Sequence, residues 1–327
     1  MVVSMTAWAI SIAAIVVLLA VDLFVTRKPH EVSVREATAW SVFYVAAAFA
    51  FAAWVWLEWG GDLATQYIGA YLVEKSLSVD NLFVFAIILT QFAVPSVLHQ
   101  RVLLVGILMA LVMRAVFIAV GAAALHAFSF TFVLFGALLI WTGIQLGRHW
   151  KDDPEPSDNA LVRLARKRFR FSDGFDGARL FTHIDGRRVP TPMLLVMIAI
   201  GSTDLLFALD SIPATFGVTS EPFLVFAANA FALLGLRALY FLLKGLLDRL
   251  IYLSLGLAAI LVFIGGKLIL TFAHEVNPQW PKIPTATSLG VIAAILAVVT
   301  VASLVQSKRH PEMKAHAGSL RDHDDAQ

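Results

Sequence analysis

The chain has 327 residues, of which 59% are hydrophobic and 15% charged, with a net charge of +2 and no cysteine. A soluble domain carries roughly 25% charged and 45–50% apolar residues, so this composition excludes an ordinary soluble fold. It also excludes disulfides, thiolate metal sites and cysteine nucleophiles, which leaves oxygen and imidazole to hold any metal.

In chain order, apolar runs near the ~20 residues needed to cross the hydrocarbon core predict nine helices. Their limits are 5–26, 38–57, 63–91, 101–124, 128–148, 191–217, 222–246, 250–272 and 286–306. The first lacks the basic flank and small-residue cleavage site of a secretory signal and is expected to be retained. Twenty of the 25 lysines and arginines fall in the loops after odd-numbered helices or in the C-terminal tail; Lys282 falls on the opposite side. By the positive-inside rule the N-terminus is outside and the C-terminus cytoplasmic, in the inner (plasma) membrane.

The expected organisation is all-α and polytopic, with an inverted-topology repeat. Two N-terminal helices occupy 1–60, a first three-helix repeat 61–149, a cytoplasmic linker 150–190, a second three-helix repeat 191–273, a final helix 274–306 and a disordered cytoplasmic tail 307–327. Residues 168–190 alternate aromatic and polar side chains around Asp-Gly steps, which predicts a small β-hairpin in the linker. The basic run from Arg163 to Arg170 reads as a positive-inside anchor in preference to a site for RNA or acidic lipid, and no nucleic-acid partner is expected. In the tail, His316, His323, Asp324 and Asp325 are too scattered to weigh much as a metal site.

The chemistry concentrates in two segments, EKSLSVDN (Glu74–Asn81) and DLLFALDS (Asp204–Ser211), which align without gaps at an offset of 130 residues. Each carries two carboxylates six residues apart, Glu74 with Asp80 and Asp204 with Asp210. Each second acid precedes a small polar residue, Asn81 or Ser211. Downstream, LVMRAVF around Arg114 resembles LLGLRALYF around Arg237, with Gly106 and Asn229 eight residues before the respective arginines. The third and sixth predicted helices cross the membrane in opposite senses, so the repeats are inverted. In secondary transporters that arrangement places the substrate site near the midplane, between the halves.

A charged residue at the bilayer centre costs about 2.5–3.5 kcal/mol on insertion scales, and these acids with Lys75, Arg114, Arg237 and Lys267 represent on the order of 20 kcal/mol before pairing. Incidental salt bridging is the alternative for each acid, but two matched sets at that cost favour function. The four bases balance the four acids and are read as charge-balancing or gating groups. A spacing of six leaves paired carboxylates about 120° apart on a regular helix. Glu74, Ser78 and Asn81 share one face, as do Asp204, Ala208 and Ser211. Pro213 removes a backbone donor and is expected to break the sixth predicted helix beside Asp210, swinging its two carboxylates together. Hard oxygen donors suit Mn²⁺, Ca²⁺ or Mg²⁺. His99, His126 and His149 lie at helix ends, where they give a midplane imidazole site little support. Proton exchange for a divalent cation is physically reasonable for carboxylates at that depth.

The segments EKSLSVDNLFVF, STDLLFALDSIPA, ANAFALLGLRALYF (Ala228–Phe241) and FIGGKLIL (Phe263–Leu270) resemble the TerC family of integral membrane proteins, within the LysE transporter superfamily. They span roughly Glu74 to Leu270. The resemblance implies Mn²⁺ efflux from the cytoplasm, tied to manganese homeostasis and to metal supply for exported proteins. It gives metal-pathway roles to Glu74, Asp80, Asp204 and Asp210, with Asn81, Ser211 and Asn229 as further candidates. Mn²⁺, with Ca²⁺ as a second ion, is then the substrate, and no permanently bound cofactor is expected. Two other functions are weighed: a membrane scaffold that assists the protein-export machinery or the loading of exported metalloproteins, and an exporter of amino acids or organic cations. The sequence carries no nucleophile motif, nucleotide loop or metalloprotease motif that would argue for an enzyme.

Overall fold

The computed structural model describes residues 3–25, 33–128, 130–148, 160–184, 187–243, 250–281 and 283–309. These form helices α1 (Met5–Val25), α2 (Val34–Trp59), α3 (Gly61–Gln91), α4 (Ser96–Ala127), α5 (Thr131–Arg148), α6 (Ala160–Arg168), α7 (Pro192–Val218), α8 (Pro222–Leu233), α9 (Leu236–Leu243), α10 (Leu253–Val276) and α11 (Thr285–Arg309). Strands β1 (Phe181–Ile184) and β2 (Arg187–Pro190) complete the order. Among the described residues eight segments are long and apolar enough to cross a membrane, with α8 and α9 counting as one. The remaining predicted span is α3, whose 31 residues carry Glu74, Lys75 and Asp80 midway along an otherwise apolar stretch. The chain is an all-α, multi-pass membrane protein.

Burial ranks the helices. The most apolar stretches of α1 and α11 are 22% and 17% buried, against 89% for α8–α9, which places α8–α9 at the centre and the other two at the rim. Phe24, Leu57, Val112 and Trp141 point outward. Such an apolar exterior would aggregate in water, and lipid is its natural solvent. The centre packs α3 against α7 and α8, and α4 against α7 and α8.

On one flank α5 and α10 approach closely through small residues. A Cβ on Gly136 would stand 2.7 Å from the Gly265 carbonyl oxygen, one on Gly265 would stand 2.6 Å from the Gly136 oxygen, and one on Gly143 would stand 2.9 Å from the Ala258 oxygen. Van der Waals contact between backbones is the main force joining helices in lipid, and only small residues permit it.

Two expectations about breaks are reversed. Helix α7 runs unbroken through Pro213. Every residue from Ser211 to Val218 is buried, so packing around Pro213 keeps the helix continuous despite the missing donor. The predicted helix 222–246 is instead divided at Leu234–Gly235. Gly235 has φ +78, and a Cβ there would fall 2.7 Å from the Tyr44 ring, so glycine is required twice over. Lys75 Nζ donates to the Ala232 carbonyl at 3.1 Å, placing a cation at the C-terminal end of α8, where carbonyls lack helical partners.

In the linker, α6 is a helix where only a basic run was expected. It packs on α7, burying Val162 and Ala165, and Arg166 lies 5.6 Å over the Phe92 ring. The expected hairpin is present, with Phe181 opposite Pro190 and Ile184 opposite Arg187. Residues 307–309, assigned to the tail, belong to α11. The rest of the tail, with its His316, His323, Asp324 and Asp325, and also His149, lie outside the described residues.

Candidate functional site

Arg114, near the middle of α4, is fully buried and joins three helices. Its Nη1 donates to Glu74 Oε1 on α3, and its Nη2 donates to Asp204 Oδ1 on α7 at 3.2 Å. With the Asn81 amide turned so that its oxygen faces the guanidinium, the orientation its neighbours demand, that oxygen accepts from the same Nη2 at 2.9 Å and the nitrogen donates to the Leu77 carbonyl at 3.1 Å. On the far side of Glu74, Thr215 Oγ1 donates to Oε2 at 3.3 Å and lies 2.8 Å from the Ser211 carbonyl. The local sequence explains the convergence. Glu74 and Asn81 are seven residues apart on α3, and Asp204 and Thr215 eleven apart on α7, so each pair lies on one helical face.

Two carboxylates and one guanidinium leave this cluster one formal charge negative in a fully buried position. Some of its polar capacity is not used internally. Asp204 Oδ2, Arg114 Nε, Ser78 Oγ and Ser211 Oγ are buried without a hydrogen-bond partner, and so are both amide atoms of Asn229 on α8. Buried polar atoms normally have partners, and isolated exceptions mark strain, function or an exchangeable ligand.

Asp210 is elsewhere. Because α7 does not break, Asp204 and Asp210 keep their ~120° separation, and Asp210 turns into a cavity of about 100 Å³ lined by Asn81, Thr142, Leu146, Phe207 and Leu261. Thr142 of α5, whose hydroxyl donates to the Leu138 and Leu139 carbonyls, lines the same cavity. Asn81 borders both regions: it touches Arg114 on one side and the Asp210 cavity on the other. Asp80 precedes Asn81 on α3, and its side chain lies outside what the structure describes.

The structure therefore brings Glu74, Asp204, Asn81 and Arg114 together, with Asp210 one amide away. Among the described residues no three acidic or imidazole side chains are grouped as metal ligands. The position between Glu74 and Asp204 is held by Arg114. The remaining bases are dispersed: Lys75 faces the end of α8, and Lys267 is buried on α10. Arg237 pairs with Asp22 of α1 through Nη2 at 2.7 Å and Nε at 3.2 Å, and Tyr44 donates to the same carboxylate oxygen at 3.0 Å. The two matched arginines thus have different surroundings, despite their similar sequence settings. Sequence reasoning missed Asp22, Thr142 and Thr215. Asp22 had a signal, being an acid inside the first predicted span, where any ionisable residue needs a partner. Counting it gives five acids to four bases among these residues.

A bundle of lipid-facing helices that buries ionised side chains from three of its central members defines a multi-pass integral membrane protein with a polar interior. Residues 59–311 match the integral membrane protein TerC family, and the chain belongs to that family. It is 43% identical over 311 residues to the "Uncharacterized membrane protein STKORF319" of Myxococcus xanthus, covering 95% of each chain. It is 45% identical over 310 residues to the "Uncharacterized membrane protein Rv2723" of Mycobacterium tuberculosis, covering 90% of this chain and 78% of the relative. The "Putative membrane-bound redox modulator Alx" of Escherichia coli is 37% identical over 318 residues, covering 94% and 97%. No solved structure matches.

Proposed function

We propose that the chain is a transporter that exports divalent cations, Mn²⁺ first and Ca²⁺ second, from the cytoplasm across the inner membrane in exchange for protons. One observation carries the reading: a run of polar side chains extends from Asp204 through Arg114 and Asn81 to the cavity of Asp210. It crosses the interior of an otherwise apolar bundle, where a polar path is costly to maintain. All its acceptors are oxygens, which suits a hard cation. The matched acids on α3 and α7 agree with two inverted halves meeting at such a path. The name of the Escherichia coli relative suggests redox chemistry, but a chain without cysteine offers no thiol for it.

The engagement of Glu74 by both Arg114 and Thr215 also suits the second reading, a scaffold whose acids hold the bundle together. Mn²⁺ uptake into inverted membrane vesicles separates the two. Export predicts uptake by the wild type and its loss in Asp80→Asn and Asp210→Asn. Uptake unchanged in both variants would show that the carboxylates are not the path. No uptake by the wild type, together with impaired protein export in cells lacking the chain, would establish the scaffold.

A further inference from the structure

The cluster contains both an anionic pair and the cation that neutralises it, and these cannot all remain when a second cation arrives. Arg114 donates one Nη to Glu74 and the other to Asp204, so its planar fork lies between carboxylates of two different helices. A divalent ion using those same carboxylates would bring three positive charges against two negative ones at contact distance, in a medium that screens weakly. Either the guanidinium or the ion must leave.

The surroundings show where the guanidinium can go and what the ion can use. Asp204 Oδ2 and Ser211 Oγ on the α7 face, and Ser78 Oγ between Glu74 and Asn81 on the α3 face, are buried oxygens that Arg114 does not engage. They suit a small hard cation and accept no hydrogen bond from the guanidinium. On the other side, Arg114 Nη2 already touches Asn81, which lines the cavity into which Asp210 projects. Among the described residues Asp210 forms no ion pair with a base; Asn81 and Thr142 are the polar side chains that share its cavity. The cavity of about 100 Å³ gives a guanidinium room to turn.

Building on the export reading, we propose that Arg114 is a tethered counter-cation: the transported ion displaces it from Glu74 and Asp204, and Asp210 receives it across Asn81. The protein's own guanidinium then refills the carboxylates after release, so the emptied site never carries two bare buried anions. In this role Arg114 sets the threshold that an incoming cation must overcome, and Asp210 lowers that threshold.

The test measures Mn²⁺ binding to the purified full-length chain in detergent, by the loss of the free-ion paramagnetic resonance signal. Size-exclusion chromatography confirms that each variant is folded. Arg114→Ala should bind Mn²⁺ on the order of tenfold more tightly than wild type, within the 5–150-fold range typical of coupled sites. Millimolar guanidinium ion should compete with Mn²⁺ in Arg114→Ala and not in wild type. Asp210→Asn, which keeps Arg114 but removes its receiver, should weaken binding, and Arg114→Ala/Asp210→Asn should restore the tight binding of Arg114→Ala. Equal Mn²⁺ affinity in wild type and Arg114→Ala, or a double variant as weak as Asp210→Asn, would overturn the displacement while leaving export standing. Absence of Mn²⁺ binding from wild type and every variant would overturn both.

Discussion

The Asp22–Arg237–Tyr44 cluster offers a quantitative test of how polar contacts hold the rim helix α1 to the bundle. A single carboxylate oxygen accepts from Arg237 Nη2 at 2.7 Å, Arg237 Nε at 3.2 Å and the Tyr44 hydroxyl at 3.0 Å. Arg237 is 2% exposed and Asp22 5%. Asp22→Leu leaves the guanidinium buried without its counter-charge, a loss of about 3–5 kcal/mol. Tyr44→Phe removes one hydrogen bond to a charged acceptor, about 1.5–3 kcal/mol. Asp22→Leu/Arg237→Met removes both charges and fills the space with apolar atoms, so it should regain most of what Asp22→Leu loses. The assay is thermal or denaturant unfolding at fixed detergent concentration, analysed as a double-mutant cycle. If the losses of Asp22→Leu and of Arg237→Met alone add in the double variant to within about 0.5 kcal/mol, the two residues are energetically independent and the reasoning fails.

Three further outcomes follow from the packing and the linker. Gly136→Val forces α5 and α10 apart at a carbonyl contact and should lower stability by about 1–3 kcal/mol. Gly266→Val on α10, where a Cβ meets nothing within 4 Å, is its control and should stay within about 0.5 kcal/mol of wild type in the same melt. Gly235→Ala places a side chain at φ +78 and against the Tyr44 ring; unfolding midpoints should show a loss of at least about 1–2 kcal/mol. In the hairpin region, hydrogen bonds from Thr182 and then Arg179 hold the Asp176 carboxyl below its ordinary value. A lowered value means that Asp176 stabilises this segment above the ordinary carboxylate range and ceases to as pH falls through the lowered one. Protection of the β1 and β2 amides, measured relative to their intrinsic exchange rates at each pH, should therefore fall in acid, and Asp176→Asn should show low protection with that acid dependence removed.

Much of the fold was legible because lipid allows few solutions. Apolar runs of spanning length marked the helices to within a few residues, and the turn chemistry of 168–190 marked the hairpin. The breaks were not legible. Pro213 removes a hydrogen bond, yet the outcome depends on packing from neighbouring helices, which a local motif does not encode. Gly235 is instead forced by the Tyr44 ring, 191 residues away in the chain. Helix α6 was hidden for another reason: its nine residues are strongly basic, and only contact with α7 reveals Val162 and Ala165 as a buried face. At the site, the periodicity that put Glu74 with Asn81 on one face correctly predicted a shared side. Which base would meet which acid was beyond reach, since Arg114 and Arg237 stand in similar sequence settings and meet different helices.

Glu74 and Lys75 are consecutive on α3, so their side chains point about 100° apart. One grips the guanidinium of α4 and the other the carbonyl end of α8. A roll of α3 by one residue step in one sense would bring Lys75 toward Arg114, positive to positive, and a roll in the other sense would turn Glu74 toward the partially negative end of α8. Either direction replaces an attraction with a repulsion. The azimuth of this helix is therefore keyed by sign, much as a polarised plug enters its socket one way round, and apolar packing alone could not provide such a key.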